Sequence, residues 1–228
     1  GTGGGQGTGG SNYGIYLYNG SSVANTGSGA ITLTGIEGTG SSGSNYGIVT
    51  ATGTNTVGGA SASGKITLQA NSVSLGSSTS VRTSGDIAVL RYTNGDMSIG
   101  ANVASTLNIS DTALAYFNWG SSSKLFLGST DATAANSTVN TMTIDSSYNF
   151  TKPVEFVTKT VGGTITVASA LGGTSNAAFG FTGPTTLNGN VTTAGGNITF
   201  NSAVTLGGNR TIDAGAGTAT FTGAVNGT

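Results

Sequence analysis

The sequence predicts an all-β fold, a parallel β-helix of roughly 8–11 stacked coils. Three observations predict it. Short apolar–Thr–apolar segments recur along the chain. Glycine supplies 41 of 228 residues, about 18%, where an ordinary domain has about 7%. Charged residues are 7%, against roughly 25% in an ordinary domain.

The recurrences come first. Ser11-Asn12-Tyr13-Gly14-Ile15 returns as Ser44-Asn45-Tyr46-Gly47-Ile48, and Gly29-Ala30-Ile31-Thr32-Leu33 as Gly64-Lys65-Ile66-Thr67-Leu68. Further on, Gly163-Thr164-Ile165-Thr166-Val167 is echoed by Gly196-Asn197-Ile198-Thr199-Phe200, and that by Gly217-Thr218-Ala219-Thr220-Phe221. Periods of 20–50 residues mark stacked supersecondary units. Alternation of apolar and polar residues marks a strand with one buried face. The flanking Gly, Asn and Ser are turn formers.

In the middle of the chain the same pattern predicts strands at Val73–Leu75, Ile87–Val89, Met97–Ile99, Leu107–Ile109, Leu125–Leu127, Met142–Ile144 and Val154–Phe156. Two or three strands then make one turn of roughly 20–33 residues. With coils ~4.8 Å apart the rod is on the order of 40–50 Å long. Only Asp111–Trp119 offers a helical segment, and it is short. Glycine costs about 1 kcal/mol per helical position relative to Ala, so helix is disfavoured almost everywhere else. Proline, which removes a ladder donor, occurs only at 153 and 184.

One continuous domain is expected, in three stretches: Gly-rich repeats over 1–84, less regular coils over 85–160, and Gly-rich repeats over 161–228. The middle stretch holds Trp119, both methionines and Asp86, Asp96, Asp111, Asp131, Asp145 and Glu155. It reads as a wider segment of the same coil. The start at Gly1 and the repeat-like residues 223–228 read as a mature or excised piece of a longer chain.

Composition also excludes chemistries. Seven basic residues and a net charge of -1 cannot neutralise a run of phosphates, so a nucleic-acid partner is not expected. With no Cys there is no disulfide framework and no thiol nucleophile. With no His the commonest general base and metal ligand is missing. No apolar run reaches the ~20 residues of a membrane-spanning helix. No enzyme activity, cofactor or metal is expected.

The blocks Gly195–Leu206 (GGNITFNSAVTL) and Asn209–Phe221 (NRTIDAGAGTATF), with GSGAITLTG and GSNYGI earlier, resemble repeats of filamentous-haemagglutinin-type exoproteins. Those are passengers of two-partner-secretion and autotransporter systems in Gram-negative bacteria. The resemblance is one of composition and rhythm over most of the chain. It implies a right-handed β-helix, an extracellular or cell-surface location, and a role in adhesion or filament formation.

Individual motifs are weak. Gly59–Lys65 reads G-x-x-x-x-G-K, but Ile66 replaces the Ser or Thr of a P-loop, and a strand follows where a helix is required. Gly1–Gly10 lacks the strand and helix of a dinucleotide loop. Gly207–Asp213 only grazes a calcium-binding β-roll pattern, with too few oxygen ligands. The Asn-x-Ser/Thr sequences at Asn108, Asn136, Asn149, Asn190 and Asn197 follow from a chain rich in those residues.

Three functional readings stand. The first is a structural segment of a surface adhesin or filament, partnering itself end to end. The second is a glycan- or ice-binding module. Its face would be an outward column of Thr32, Thr67, Thr143, Thr166, Thr199 and Thr220, or the outward pair Tyr16 and Tyr18. In that pattern Tyr13 and Tyr46 face inward. The third is a polysaccharide lyase or hydrolase built on Asp86 and Asp96 near Arg82 and Arg91.

Overall fold

A computed structural model of the chain describes residues 1–3, 10–40, 44–100 and 107–227. The chain winds into a parallel β-helix. Most coils carry two or three short strands, and nearly every strand pairs in parallel with a counterpart one coil away.

The first coil holds β1 (Ile15–Tyr18), β2 (Ser22–Val23) and β3 (Ile31–Thr34). The second holds β4 (Ile48–Ala51), β5 (Asn55–Gly58) and β6 (Ile66–Gln69), and the third β7 (Val73–Leu75), β8 (Thr79–Arg82) and β9 (Ile87–Leu90). The fourth is longer: β10 (Gly95–Gly100), β11 (Leu107–Ile109), a single helical turn α1 (Asp111–Leu114), β12 (Phe117–Asn118) and β13 (Leu125–Leu127). The fifth has β14 (Val139–Asp145) and β15 (Val154–Val157). Then follow β16 (Thr164–Val167), β17 (Leu171–Gly173) and β18 (Phe179–Thr182), and after them β19 (Thr185–Leu187), β20 (Val191–Thr193) and β21 (Ile198–Phe200). The eighth coil is β22 (Val204–Leu206), β23 (Ile212–Asp213) and β24 (Ala219–Phe221), and β25 (Val225–Gly227) opens a ninth. Eight coils and part of a ninth, at ~4.8 Å each, make a rod of roughly 40 Å.

One face is an unbroken eight-stranded sheet from β3 to β24. The other two faces are each split. On the first face β1-β4-β7 gives way to β11-β10-β14-β16-β19-β22-β25. On the second, β2-β5-β8-β12 gives way to β17-β20-β23. Both breaks fall in the middle of the rod.

The cause of the first break lies in the chain path. After β9 the chain lays down β10, against which β14 later pairs (Met97 with Met142). It then returns as β11 on the opposite edge of β10 (Met97 with Leu107). The order along the first face is therefore β7, β11, β10, β14, out of sequence by one strand. This explains the width of the 85–160 stretch. Ile87 pairs with Leu125, 38 residues later, whereas Phe179 pairs with Ile198 only 19 residues later.

Coil length varies along the chain and is shortest and most even at the C-terminal end. Ile15 pairs with Ile48 and Ile31 with Ile66, so the first two repeats match those read from the sequence. The resemblance of Gly163–Val167 to Gly196–Phe200 does not describe neighbours. Thr166 pairs with Thr186, and Thr199 with Gly180 and Thr220. At the C-terminal end the coil is 19–21 residues, so a 33-residue offset lands on another face. The expected helix also shrinks. Ser110 caps the single turn Asp111–Leu114 through its side chain, but Phe117–Asn118 is already strand.

A single apolar core runs the length of the rod, from Leu17 to Ala214. The inward residues of the eight-stranded face form a column Leu33, Leu68, Val89, Leu127, Phe156, Phe181, Phe200 and Phe221. Corner geometry accounts for some of the glycine. Gly58 has φ +86° and Gly128 φ +95°. A Cβ on Gly128 would overlap the carbonyl oxygen of Val157 in the next coil. Asparagine serves other corners. Asn190 and Asn197 accept the backbone N–H of Thr211 and Thr218 one coil on, at 2.9 and 3.0 Å.

Candidate functional site

Two exposed surfaces and one split in the wall carry the chemistry of this molecule. The first surface is aromatic. On β1 the inward Leu17 is buried, while Tyr16 and Tyr18 point outward, 47% and 50% exposed. Their rings lie 5.5 Å apart. Tyr13 joins them, 5.0 Å from Tyr16, and stacks on Tyr46 of the next coil at 6.4 Å. Tyr13 and Tyr46 are half-buried and stand outside the core cluster. The alternation of β1 does not extend to them because they precede the strands, whose pleat begins at Ile15 and Ile48. The result is a contiguous patch of four tyrosines. Sequence reasoning found its exposed half and misplaced the rest.

The threonines do not form one column. Thr32, Thr67, Thr199 and Thr220 lie on the eight-stranded sheet, and Thr143 and Thr166 on the seven-stranded one. On the eight-stranded sheet the outward column reads Thr32, Thr67, Ala88, Phe126, Glu155, Gly180, Thr199, Thr220. Phe126 packs outside the wall with Ala88 and Leu90. Lys65 reaches over its ring, 5.2 Å from the centroid, and donates to the carbonyl of Thr130 at 2.5 Å. Thr67 is buried beside this cover, so the two threonine pairs are separated by four layers. The seven-stranded sheet has an uninterrupted run instead: Thr143, Thr166, Thr186 and Thr205 in direct register. Thr186 escaped notice because Thr185 stands in the apolar slot before it, and Thr205 because Ser202 replaces the glycine that leads the other repeats.

The second surface is the C-terminal end. In the first coil the inward Leu17, Ile31 and Leu33 are 8–9% exposed. In the last, Phe221 is 38% and Val225 47% exposed. The edges of β23, β24 and β25 are open there, since each is the last strand of its sheet among the described residues.

The acidic residues are dispersed. Asp86 precedes β9 on the eight-stranded sheet and accepts the N–H of Lys124 at 2.9 Å. Asp96 lies on β10 of the seven-stranded sheet and accepts the N–H of Thr141 at 3.1 Å. The fold does not bring them to one site. Arg91 is a corner clamp, 3% exposed. It donates to the carbonyls of Thr93 and Asp96 at 3.0 and 2.7 Å. Burial pulls its pKa down, against the charges of Asp96 and Glu37. Gly59–Lys65 is a turn leading into β6, with Ala62 N–H on the carbonyl of Gly59. Among the described residues no three of Asp, Glu, His and Cys gather as a metal site, and no helix is long and apolar enough to cross a membrane.

Comparison with family models, with curated proteins and with solved structures yields no match. The wall split on the second face is lined by Arg82, Trp119 and Lys152; sequence reasoning set Arg82 beside Asp86 and Asp96 and did not bring it together with Trp119 and Lys152.

Proposed function

We propose that this chain is a structural β-helix segment of a bacterial surface adhesin or filament, exported to the cell surface or medium, and associating end to end with copies of itself. The continuous parallel β-helix is the observation that carries it: the strands of every face stack coil on coil along one axis, and the rings of Phe156, Phe181, Phe200 and Phe221 run in one column along it. A parallel solenoid of this kind lengthens by adding layers of the same geometry. The repeat style shared with haemagglutinin-type exoproteins supports the same setting.

Analytical ultracentrifugation across a hundredfold range of concentration, with negative-stain imaging, tests it. Concentration-dependent rods in multiples of one length are expected, and Phe221→Asp abolishes them while leaving the fold intact. Monomers of uniform length at every concentration would overturn it.

A second reading is favoured by the tyrosine patch. Tyrosine rings combine an apolar face with a hydroxyl handle, which suits the faces of sugar rings, and four of them are contiguous here. Titration with oligosaccharide panels tests it. Binding lost in Tyr16→Ala with Tyr18→Ala supports a glycan-binding module, and no binding by the native protein removes it.

A further inference from the structure

The second face is interrupted where the four-stranded sheet stops at β12, before the three-stranded sheet begins at β17. A cleft of about 320 Å³ opens beside this seam. Arg82 and Asn118, the last residues of β8 and β12, are register partners. Lys152, in the following coil, extends the column: its Nζ donates to Asn118 Oδ1 at 2.7 Å and to the carbonyl of Trp119. Three successive layers thus place a guanidinium, an amide and an ammonium group in line.

The back of the cleft is Trp119, 4% exposed. Its Nε1 is committed to the carbonyl of Pro153 at 3.1 Å, so the indole offers the cleft only its carbon surface. Lys152 Nζ sits 5.6 Å from the ring centroid. Ser84, Ser121 and Thr83 complete the wall. No carboxylate lines the cleft; among the described residues the ion pair is Lys124–Glu155, in another part of the wall. Two cations therefore share the cleft without a counter-charge. Lys152 registers this: burial, and then the charge of Arg82, lower its pKa.

An anion placed between Arg82 and Lys152 would neutralise both, and charge-assisted hydrogen bonds are about twice as strong as neutral ones. The cavity lies at the low end of the ~300–1,000 Å³ of small-ligand sites, so it takes one ring-sized unit. The Ser and Asn groups of the wall suit a hydroxylated ring, with the buried Trp119 behind them. We propose that the cleft between Arg82, Asn118, Trp119 and Lys152 binds one carboxylate- or sulfate-bearing sugar residue. This site is separate from the tyrosine patch and does not depend on end-to-end association.

Trp119 is the sole tryptophan of the chain, so its fluorescence reports on the cleft directly. The purified protein is titrated with glucuronate, with a sulfated hexosamine, with neutral glucose, and with inorganic sulfate and phosphate. A saturable change with the acidic sugars and none with glucose is expected. Arg82 is exposed, so Arg82→Gln leaves the melting temperature unchanged while weakening binding roughly tenfold or more, the loss of one charged hydrogen bond. Arg82→Lys retains part of the affinity. Equal response to glucose, an unchanged affinity in Arg82→Gln, or no response to any acidic sugar would overturn the proposal. Inorganic sulfate or phosphate binding as tightly as the sugars would overturn its sugar half and leave a simple anion site.

Discussion

Phe200 lies flat against Phe181, ring centroids 4.7 Å apart and planes 10° from parallel. The spacing equals the separation of hydrogen-bonded strands, about 4.7–4.9 Å. In-register parallel pairing sets like side chains one above another at stacking distance, and Phe156 and Phe221 extend the series at 5.3 and 5.1 Å. The core is thus a set of columns along the axis, each fixed by backbone register.

Phe200→Ala should destabilise the protein by about 3–5 kcal/mol, the range for deletion of a buried ring. Phe221→Ala should cost clearly less, because its ring is 38% exposed. Chemical denaturation of both variants measures the difference. Equal losses would show that Phe221 is covered as fully as Phe200, against its exposure.

Gly128→Ala should be costlier than Gly162→Ala. Both residues have positive φ, +95° and +70°, which costs an L-residue roughly 1 kcal/mol or more. A Cβ on Gly162 meets nothing within 4 Å, whereas one on Gly128 overlaps the backbone of Val157. Thermal melts of the two variants check the order.

Acid should weaken the centre of the rod through Asp111. Burial alone would raise its pKa, but hydrogen bonds from the hydroxyls of Ser146 and Ser147 and from the N–H of Ser147 and Tyr148 carry it below the ordinary value. A carboxyl depressed in the folded state contributes stability that is complete above its unfolded value, near pH 4. That contribution is lost as pH falls through the folded value. Asp111→Asn should therefore be less stable than the native protein at neutral pH, with the two curves converging as pH falls through the folded value. Denaturation midpoints between pH 7 and 2.5 test this.

Asn197→Ala should lose about 1 kcal/mol by removing the acceptor for the Thr218 N–H. Hydrogen exchange at Thr218 should accelerate in the variant. Unchanged protection there would mean that the asparagine corner bears no load.

Much of this fold was legible from period-2 alternation. Ile31-Thr32-Leu33 and Ile66-Thr67-Leu68 announce both their strands and their pairing, because one coil separates identical words. The middle strands were equally plain: Val73–Leu75 and Leu125–Leu127 carry compact apolar signatures. What stayed hidden was which strand stacks on which. Coil length changes from 35 residues between Ile31 and Ile66 to 19 between Phe179 and Ile198, so Thr166 and Thr199 look alike yet belong to different faces. The out-of-order β10 could not be read either, since Met97-Ser98-Ile99 looks like any other strand. Two-residue strands such as Phe117–Asn118 are too short to alternate, and they build the seam at which Arg82 and Lys152 meet. The tyrosine patch was half legible: Tyr16 and Tyr18 follow the pleat, whereas Tyr13 and Tyr46 lie just before it.

Register is the central claim, and paired cysteines test it most directly in a chain that has none of its own. Thr186 and Thr205 are outward register partners, at a spacing within the ~4.4–6.8 Å Cα range of a disulfide. The double variant Thr186→Cys, Thr205→Cys should cross-link within the monomer on mild oxidation, as seen by mass spectrometry. The double variant Thr166→Cys, Thr199→Cys, matched by sequence but on different faces, should not. Cross-linking of the second pair and not the first would contradict the stacked coils.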